Sequence, residues 1–206
     1  FGKTVVCSYL IAQRKVNTLI LLQSKDLLEQ WVEELSRFLV IQEDAPVYRT
    51  KTGRVKKRES VIGILTGSKD TLTGIIDVAM VGSMYRKGDF HERLHSYGMV
   101  IMDECHHCGA HTAVEVMQKV NARYVYGVSA TLKRGDQLEK IIPMLLGPVR
   151  HSYTAKERAA DQGIGHYVYP RFTRVIDTRT IDVKENKSDI TGAYALISEN
   201  PVRNKM

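Results

Sequence analysis

Short apolar runs alternate with amphipathic stretches along most of the chain. Residues 4–14 place Val5, Val6, Tyr9, Leu10 and Ala12 at helical spacing and end on Gln13-Arg14-Lys15, which predicts a helix starting at or just after Thr4. Thr18-Leu19-Ile20-Leu21-Leu22-Gln23 then reads as a strand buried on both faces. Ser24 is a candidate N-cap for a second helix, whose apolar stripe runs through Leu27, Leu28, Trp31, Val32, Leu35, Phe38 and Leu39. Residues 61–65 and 75–81 predict two further strands, with Asp77 interrupting the second and marking where its buried part begins. Met99-Val100-Ile101-Met102, a helix around residues 111–120 and the run 124–128 follow. Buried strands alternating with helices make βαβ units and a parallel sheet, so the fold class is α/β. After Pro148 the periodicity weakens, and Tyr167-Val168-Tyr169 and residues 173–176 read as strands at a sheet edge.

Composition narrows the class. At roughly 150 residues per domain, 206 residues make one large domain or one domain plus part of another. Hydrophobic residues at 43% and only 5 prolines exclude disordered, collagen-like and coiled-coil chains. No apolar run reaches the ~20 residues of a bilayer crossing and no secretory leader is visible. Together with three unevenly spaced cysteines, Cys7, Cys105 and Cys108, this predicts a soluble cytoplasmic protein in a reducing compartment, with no membrane partner. A net charge of +7 favours a polyanionic partner. Part of that charge lies in Arg49, Lys51, Arg54, Lys56, Lys57 and Arg58, a stretch without an acid. It reads as a solvated loop or hairpin, with a phosphate-contacting excursion as the functional alternative. The chain opens on Phe1-Gly2-Lys3-Thr4 without an initiator methionine, so it is expected to be a fragment.

Three short segments carry candidate chemistry. Gly2-Lys3-Thr4 at a helix start matches the end of a phosphate loop, in which a lysine reaches the phosphates and a hydroxyl binds Mg²⁺. Asp103-Glu104 follows a buried strand, at the carboxyl end where open parallel sheets bind ligands. There Asp103 suits a metal and Glu104 suits a water to be deprotonated, although an isolated pair of acids also serves as a helix start. Ser129-Ala130-Thr131 follows the next predicted strand, beginning 26 positions after Asp103.

In order and spacing, Gly2-Lys3-Thr4, Asp103-Glu104-Cys105-His106 and Ser129-Ala130-Thr131 resemble motifs I, II and III of superfamily 2 DExH-box helicases and translocases. Residues 23–31 are similar to motif Ia, residues 63–67 to the segment after it, and residues 77–84 to motif Ic. Residues 131–136 resemble the extension found in the restriction-translocase and excision-repair branch. The resemblance implies a RecA-like P-loop NTPase domain over residues 1–184, truncated within its phosphate loop. It also implies that residues 185–206, through a segment at 197–204, lead into a second RecA-like domain. It implies an ATP- and Mg²⁺-dependent motor on DNA or RNA, with the isolated fragment weak or inactive for lack of the rest of motif I and motifs IV to VI. Gly2, Lys3 and Thr4 are then expected to hold the triphosphate, Thr4 and Asp103 the metal, and Glu104 the hydrolytic water. His106 is expected to link that site to motif III, where Ser129 and Thr131 relay the hydrolysis state. Ser24, Lys25, Gly67, Gly82 and Ser83 are expected on the nucleic-acid backbone, which a sequence-independent motor must contact.

Two rival readings remain in the residues. His91-Glu92-Arg93-Leu94-His95 fits the H-E-x-x-H pattern of zinc proteases, with Glu115 as a conceivable third ligand. Gly88 before it and the strand at Met99 after it leave room for about two turns at ~3.6 residues each, which favours a short surface helix instead. Cys105-His106-His107-Cys108, with His111 nearby, resembles a metal cluster but lacks a second ligand pair at a defined spacing. A nucleic-acid-binding module without turnover is the other class of function that the charge supports.

Overall fold

A computed structural model describes residues 2–50, 52–86, 88–130, 140–163, 165, 167, 169, 170 and 198. In chain order its elements begin with α1 (Lys3–Arg14), β1 (Thr18–Leu22) and α2 (Lys25–Phe38). A hairpin of β2 (Val47–Arg49) and β3 (Val55–Lys57) precedes β4 (Ile62–Leu65) and β5 (Ile76–Met80). Then come α3 (Val81–Met84), a small hairpin of β6 (Tyr85–Arg86) and β7 (Asp89–Phe90), and a 3-10 turn, Glu92–His95. The chain continues through β8 (Met99–Asp103), a second 3-10 turn (Cys105–Gly109), α4 (His111–Lys119), β9 (Tyr124–Val128), α5 (Ile141–Leu146) and α6 (Ala155–Gln162).

Five strands form one parallel sheet in the order β4-β5-β1-β8-β9. The central strand β1 is buried at every position because helices cover both sides of the sheet. Its side chains alternate between two cores, as a pleat of period two requires. Leu19 and Leu21 join Val100, Met102, Val116 and Met117 on one face. Ile20 and Leu22 join Cys7, Ile11, Leu28, Trp31 and Leu35 on the other. The stripe predicted for α2 is buried at Leu28, Trp31 and Leu35, although Phe38 at its end is 42% exposed, and Ser24 caps that helix by accepting from the Asp26 amide at 3.3 Å.

Helix α1 differs from expectation. It buries Cys7, Ser8 and Ile11, while Val5 and Val6 are each 47% exposed and Tyr9 is 63% exposed. Apolar residues surround much of this helix, so their spacing alone did not choose the inward face. Asp77 also differs: it does not open the buried part of β5 but lies inside it, fully buried one position after buried Ile76. Its carboxylate accepts from the Thr73 amide (2.8 Å), the Thr73 hydroxyl (3.0 Å), the Gly74 amide (2.7 Å) and the Tyr97 hydroxyl (2.6 Å). Four donors offset the desolvation of one buried charge.

The basic stretch forms the β2–β3 hairpin, with Arg58 lying over the Tyr48 ring at 4.2 Å and Lys57 paired with Asp44 at 2.9 Å. It joins the end of α2 to the start of β4. Residues 1–150 make one compact unit and residues 151–206 another. In the second, α6 begins with a capping box in which Thr154 and Glu157 satisfy each other's amides. Tyr167 and Tyr169 stack with centroids 6.5 Å apart and show no strand pairing. Val168, Thr131, the 131–136 extension, the strand expected at 173–176, the boundary at 184, and all of the linker 185–206 and of the 197–204 segment except residue 198 lie outside the described residues.

Candidate functional site

Strand β8 delivers Asp103 to the carboxyl edge of the sheet, and α1 runs from that edge back toward the start of β1. The first turn of α1 therefore faces the tip of β8. Lys3 Nζ makes a salt bridge with Glu104 Oε1 and lies 3.5 Å from Asp103 Oδ1. Between the two acids the backbone turns sharply: Glu104 adopts φ 46°, ψ 49°, the left-handed region that costs an ordinary residue roughly 1–2 kcal/mol. The turn swings the Glu104 side chain away from the strand line, and Asp103 Oδ1 accepts the Glu104 amide at 2.8 Å.

In this corner one ammonium faces two carboxylates. Burial pushes the Glu104 carboxyl up, but the Lys3 ammonium and the His106 ring outweigh it and leave Glu104 below its ordinary value. Burial pulls Lys3 down, and its contacts with Glu104 and Asp103 outweigh that and raise it. The lowered Glu104 loses its contribution to stability as pH falls through its depressed value, and the raised Lys3 loses its own as pH rises through its elevated one. Across neutral pH the pair is fully ionised.

Gly2 occupies the N-cap position of α1 without a side-chain cap, and Thr4 lies in the first turn. The Asp103 carboxylate and the Thr4 hydroxyl are hard oxygen donors of the type Mg²⁺ takes, which binds through one or two carboxylates plus substrate phosphates. The Lys3 ammonium seated between two acids marks a corner built for positive charge. These residues fit a Mg²⁺–nucleotide.

His106 and Ser129, which the motif resemblance links, lie side by side. Its Nδ1 is 2.8 Å from Ser129 Oγ and 3.2 Å from Glu104 Oε2, and Ser129 Oγ lies 3.5 Å from the same Glu104 oxygen. Glu104, His106 and Ser129 therefore form one triangle, although they come from the end of β8, the following turn and the end of β9.

A second feature is an open groove of about 410 Å³. It brings together Lys25, Gly67, Gly82 and Ser83, four of the five residues expected on a nucleic-acid backbone, and adds Gln23 and Thr112. Arg86 fixes its rim by donating to the Gly67 carbonyl at 2.7 Å. A Cβ on Gly82 would meet nothing within 4 Å, so packing does not demand glycine there. Ser24, the fifth, is not among the groove's lining residues; its hydroxyl caps α2.

The rival metal patterns take other roles. His91 accepts from the Arg93 amide (3.3 Å) and faces Asp70 (3.5 Å), and Glu92–His95 is a four-residue 3-10 turn rather than a protease helix. Cys105 and Cys108 are buried, and burial pushes the Cys105 thiol up to about 11, away from the thiolate that zinc requires. Among the described residues no group of three or more His, Cys, Asp and Glu is arranged to hold a metal ion. Among them, too, no helix is long and apolar enough to cross a membrane.

Sequence reasoning missed one neighbour of the site. Trp31, from the middle of α2, donates its indole N–H to Asp103 Oδ2 at 2.8 Å. The signal was available: a buried indole usually needs an acceptor, and this is the chain's single tryptophan.

The model of the type III restriction enzyme res subunit, ResIII, matches residues 1–134. The chain belongs to the ResIII family. This ResIII chain carries the first RecA-like domain of a superfamily 2 helicase. It is 29% identical over 150 residues to a putative ATP-dependent RNA helicase of Acanthamoeba polyphaga mimivirus, covering 73% of this chain and 25% of the relative. It is 28% identical over 158 residues to the DNA 3'-5' translocase XPB2 of Sulfurisphaera tokodaii, covering 77% of this chain and 31% of the relative. The chain thus spans a quarter to a third of these relatives' lengths. The crystal structure of the Pyrococcus furiosus Hef helicase domain shares its fold, with a TM-score of 0.51 at 18% identity over 73% of this chain and 31% of that one.

Proposed function

We propose that this domain is the nucleotide-hydrolysing half of a motor that moves on DNA or RNA, completed in the intact protein by a second RecA-like domain. The observation that carries the reading is the Lys3–Asp103–Glu104 corner, linked through His106 to Ser129. A module that only binds nucleic acid has no use for such a corner. The groove that gathers Lys25, Gly67, Gly82 and Ser83 supports a backbone-contacting, sequence-independent track. The names of the relatives, helicase and translocase, agree with it. Three buried cysteines outside any disulfide fit a reducing, cytoplasmic setting.

Lys3 would exchange its carboxylate partners for the β- and γ-phosphates, and the amides at the start of α1 would receive phosphate oxygens. When bound between Thr4, Asp103 and the phosphates, Mg²⁺ would neutralise charge on the transferred group. Release of Lys3 frees Glu104, whose carboxylate orients the attacking water and accepts its proton. His106 and Ser129 keep that carboxylate aimed and report its state to the end of β9. Thr131 is proposed to share that relay.

The test is phosphate release from ATP by the intact protein, with and without DNA and RNA oligonucleotides. Release is expected to rise on adding nucleic acid. Nucleic-acid binding without any turnover would return the protein to the binding-module class.

A further inference from the structure

The tryptophan beneath the acid pair has a role that the motif comparison does not assign. Asp103 is 4% exposed and Trp31 is 2% exposed, so their 2.8 Å hydrogen bond is shielded from solvent. The two carboxylate oxygens are held differently. Oδ1 takes the Glu104 amide and faces Lys3, on the nucleotide side, whereas Oδ2 takes the indole from the core. The second torsion of an aspartate is broad and roughly two-fold, so packing alone fixes its plane poorly. An indole N–H on one oxygen and a backbone amide on the other fix it well. Trp31 is in turn immobilised by its core: it shares one apolar cluster with Leu28 and Leu35 of its own helix and with Cys7, Ile11, Ile20 and Ile101. Its donor is uncharged, so it orients the carboxylate without neutralising the charge that a divalent cation needs.

We propose that Trp31 is a positioning residue that holds the Asp103 carboxylate in the plane required for Mg²⁺ in the nucleotide complex. This rests on the functional reading above. Partners that orient metal ligands from behind typically cost 10–100-fold in metal affinity or activity when removed. Trp31→Phe keeps the ring in the core and deletes the N–H.

The intact protein is assayed for nucleic-acid-stimulated phosphate release against Mg²⁺ at saturating ATP, and against ATP at saturating Mg²⁺. Trp31→Phe is expected to raise the half-saturating Mg²⁺ concentration about 10-fold while the KM for ATP stays within about twofold of wild type. Val32→Ala, which trims the same helix against the same core, is expected to leave the Mg²⁺ requirement unchanged. An unchanged Mg²⁺ requirement in Trp31→Phe, or an equal rise in Val32→Ala, would overturn the proposal. A second measurement needs no variant. In wild type labelled with 5-fluorotryptophan and loaded with ADP, one ¹⁹F resonance is expected to move on adding Mg²⁺, and none moving overturns the proposal. Failure of the functional reading looks different, because wild type then hydrolyses no ATP at any Mg²⁺ or nucleic-acid concentration.

Discussion

Glu104 shows what a single position in this chain must reconcile. It sits in a left-handed conformation, partly buried, and still keeps a depressed carboxyl because Lys3 and His106 surround it. Strain of this kind persists only where the surroundings over-determine it, and such positions cluster at functional sites. The sequence could name Glu104 as chemically interesting but not its backbone angle, since nothing in Met102-Asp103-Glu104-Cys105 calls for positive φ. The cysteines give a check at the same scale. Burial pushes Cys7 up to about 12 and Cys105 up to about 11, and Cys108, three residues after Cys105, is fully buried. At pH 8 the thiolate fractions of Cys7 and Cys105 are on the order of one part in a thousand or less. Alkylation mapped by peptide mass is therefore expected to leave all three unmodified in the native protein and to label all three after unfolding. Rapid native labelling of Cys105 would show that the turn after Glu104 is more open than described.

At the scale of elements, period and burial were readable while polar cores were not. All five parallel strands fall where the apolar runs stand, because a strand covered on both faces has no polar alternation to obscure it. Helix α2 was legible from its stripe, whereas α1 was legible as a helix but not in its inward face, because its apolar residues do not confine themselves to one side. The hairpin β6–β7 is too short for any periodicity to announce it. Asp77 looked like an interruption because a sequence does not reveal which donors will reach a buried carboxylate. Its donors make a sharp prediction. Tyr97→Phe removes one of four and is expected to cost ~1–3 kcal/mol in urea unfolding. Gly63→Ala is expected to cost at least ~3 kcal/mol, since it adds overpacking to the loss of that network. A Cβ there would stand 2.0 Å from Asp77 Oδ1 and 2.8 Å from the Thr71 carbonyl oxygen. A Gly63→Ala protein as stable as wild type would mean that β4 and β5 can separate without penalty.

For the molecule as a whole, the two candidate sites occupy the same sheet and share α2. Its first residue, Lys25, lines the groove, and Trp31 two turns later holds Asp103. Topology also separates what composition had merged. The basic hairpin joins α2 to β4 at the amino edge of the parallel sheet, whereas Asp103 and Glu104 stand at the carboxyl edge. The hairpin's share of the positive charge thus stands away from the site. Motif spacing singled out Lys3, the acid pair and most of the residues that line the groove, because each lies in a short local string. The indole's need for an acceptor was legible, but that the acceptor is Asp103 was not, since the two are separated by 72 positions and meet only through packing.

The proposed role of Glu104 is to carry out hydrolysis, once freed from Lys3, in a cycle driven by nucleic acid. Its most direct test is the rate of phosphate release by the intact protein at saturating ATP, Mg²⁺ and nucleic acid, compared between wild type and Glu104→Gln. A loss of roughly 10²–10⁴-fold is expected in Glu104→Gln, with nucleotide binding retained. Equal rates in the two proteins would contradict it.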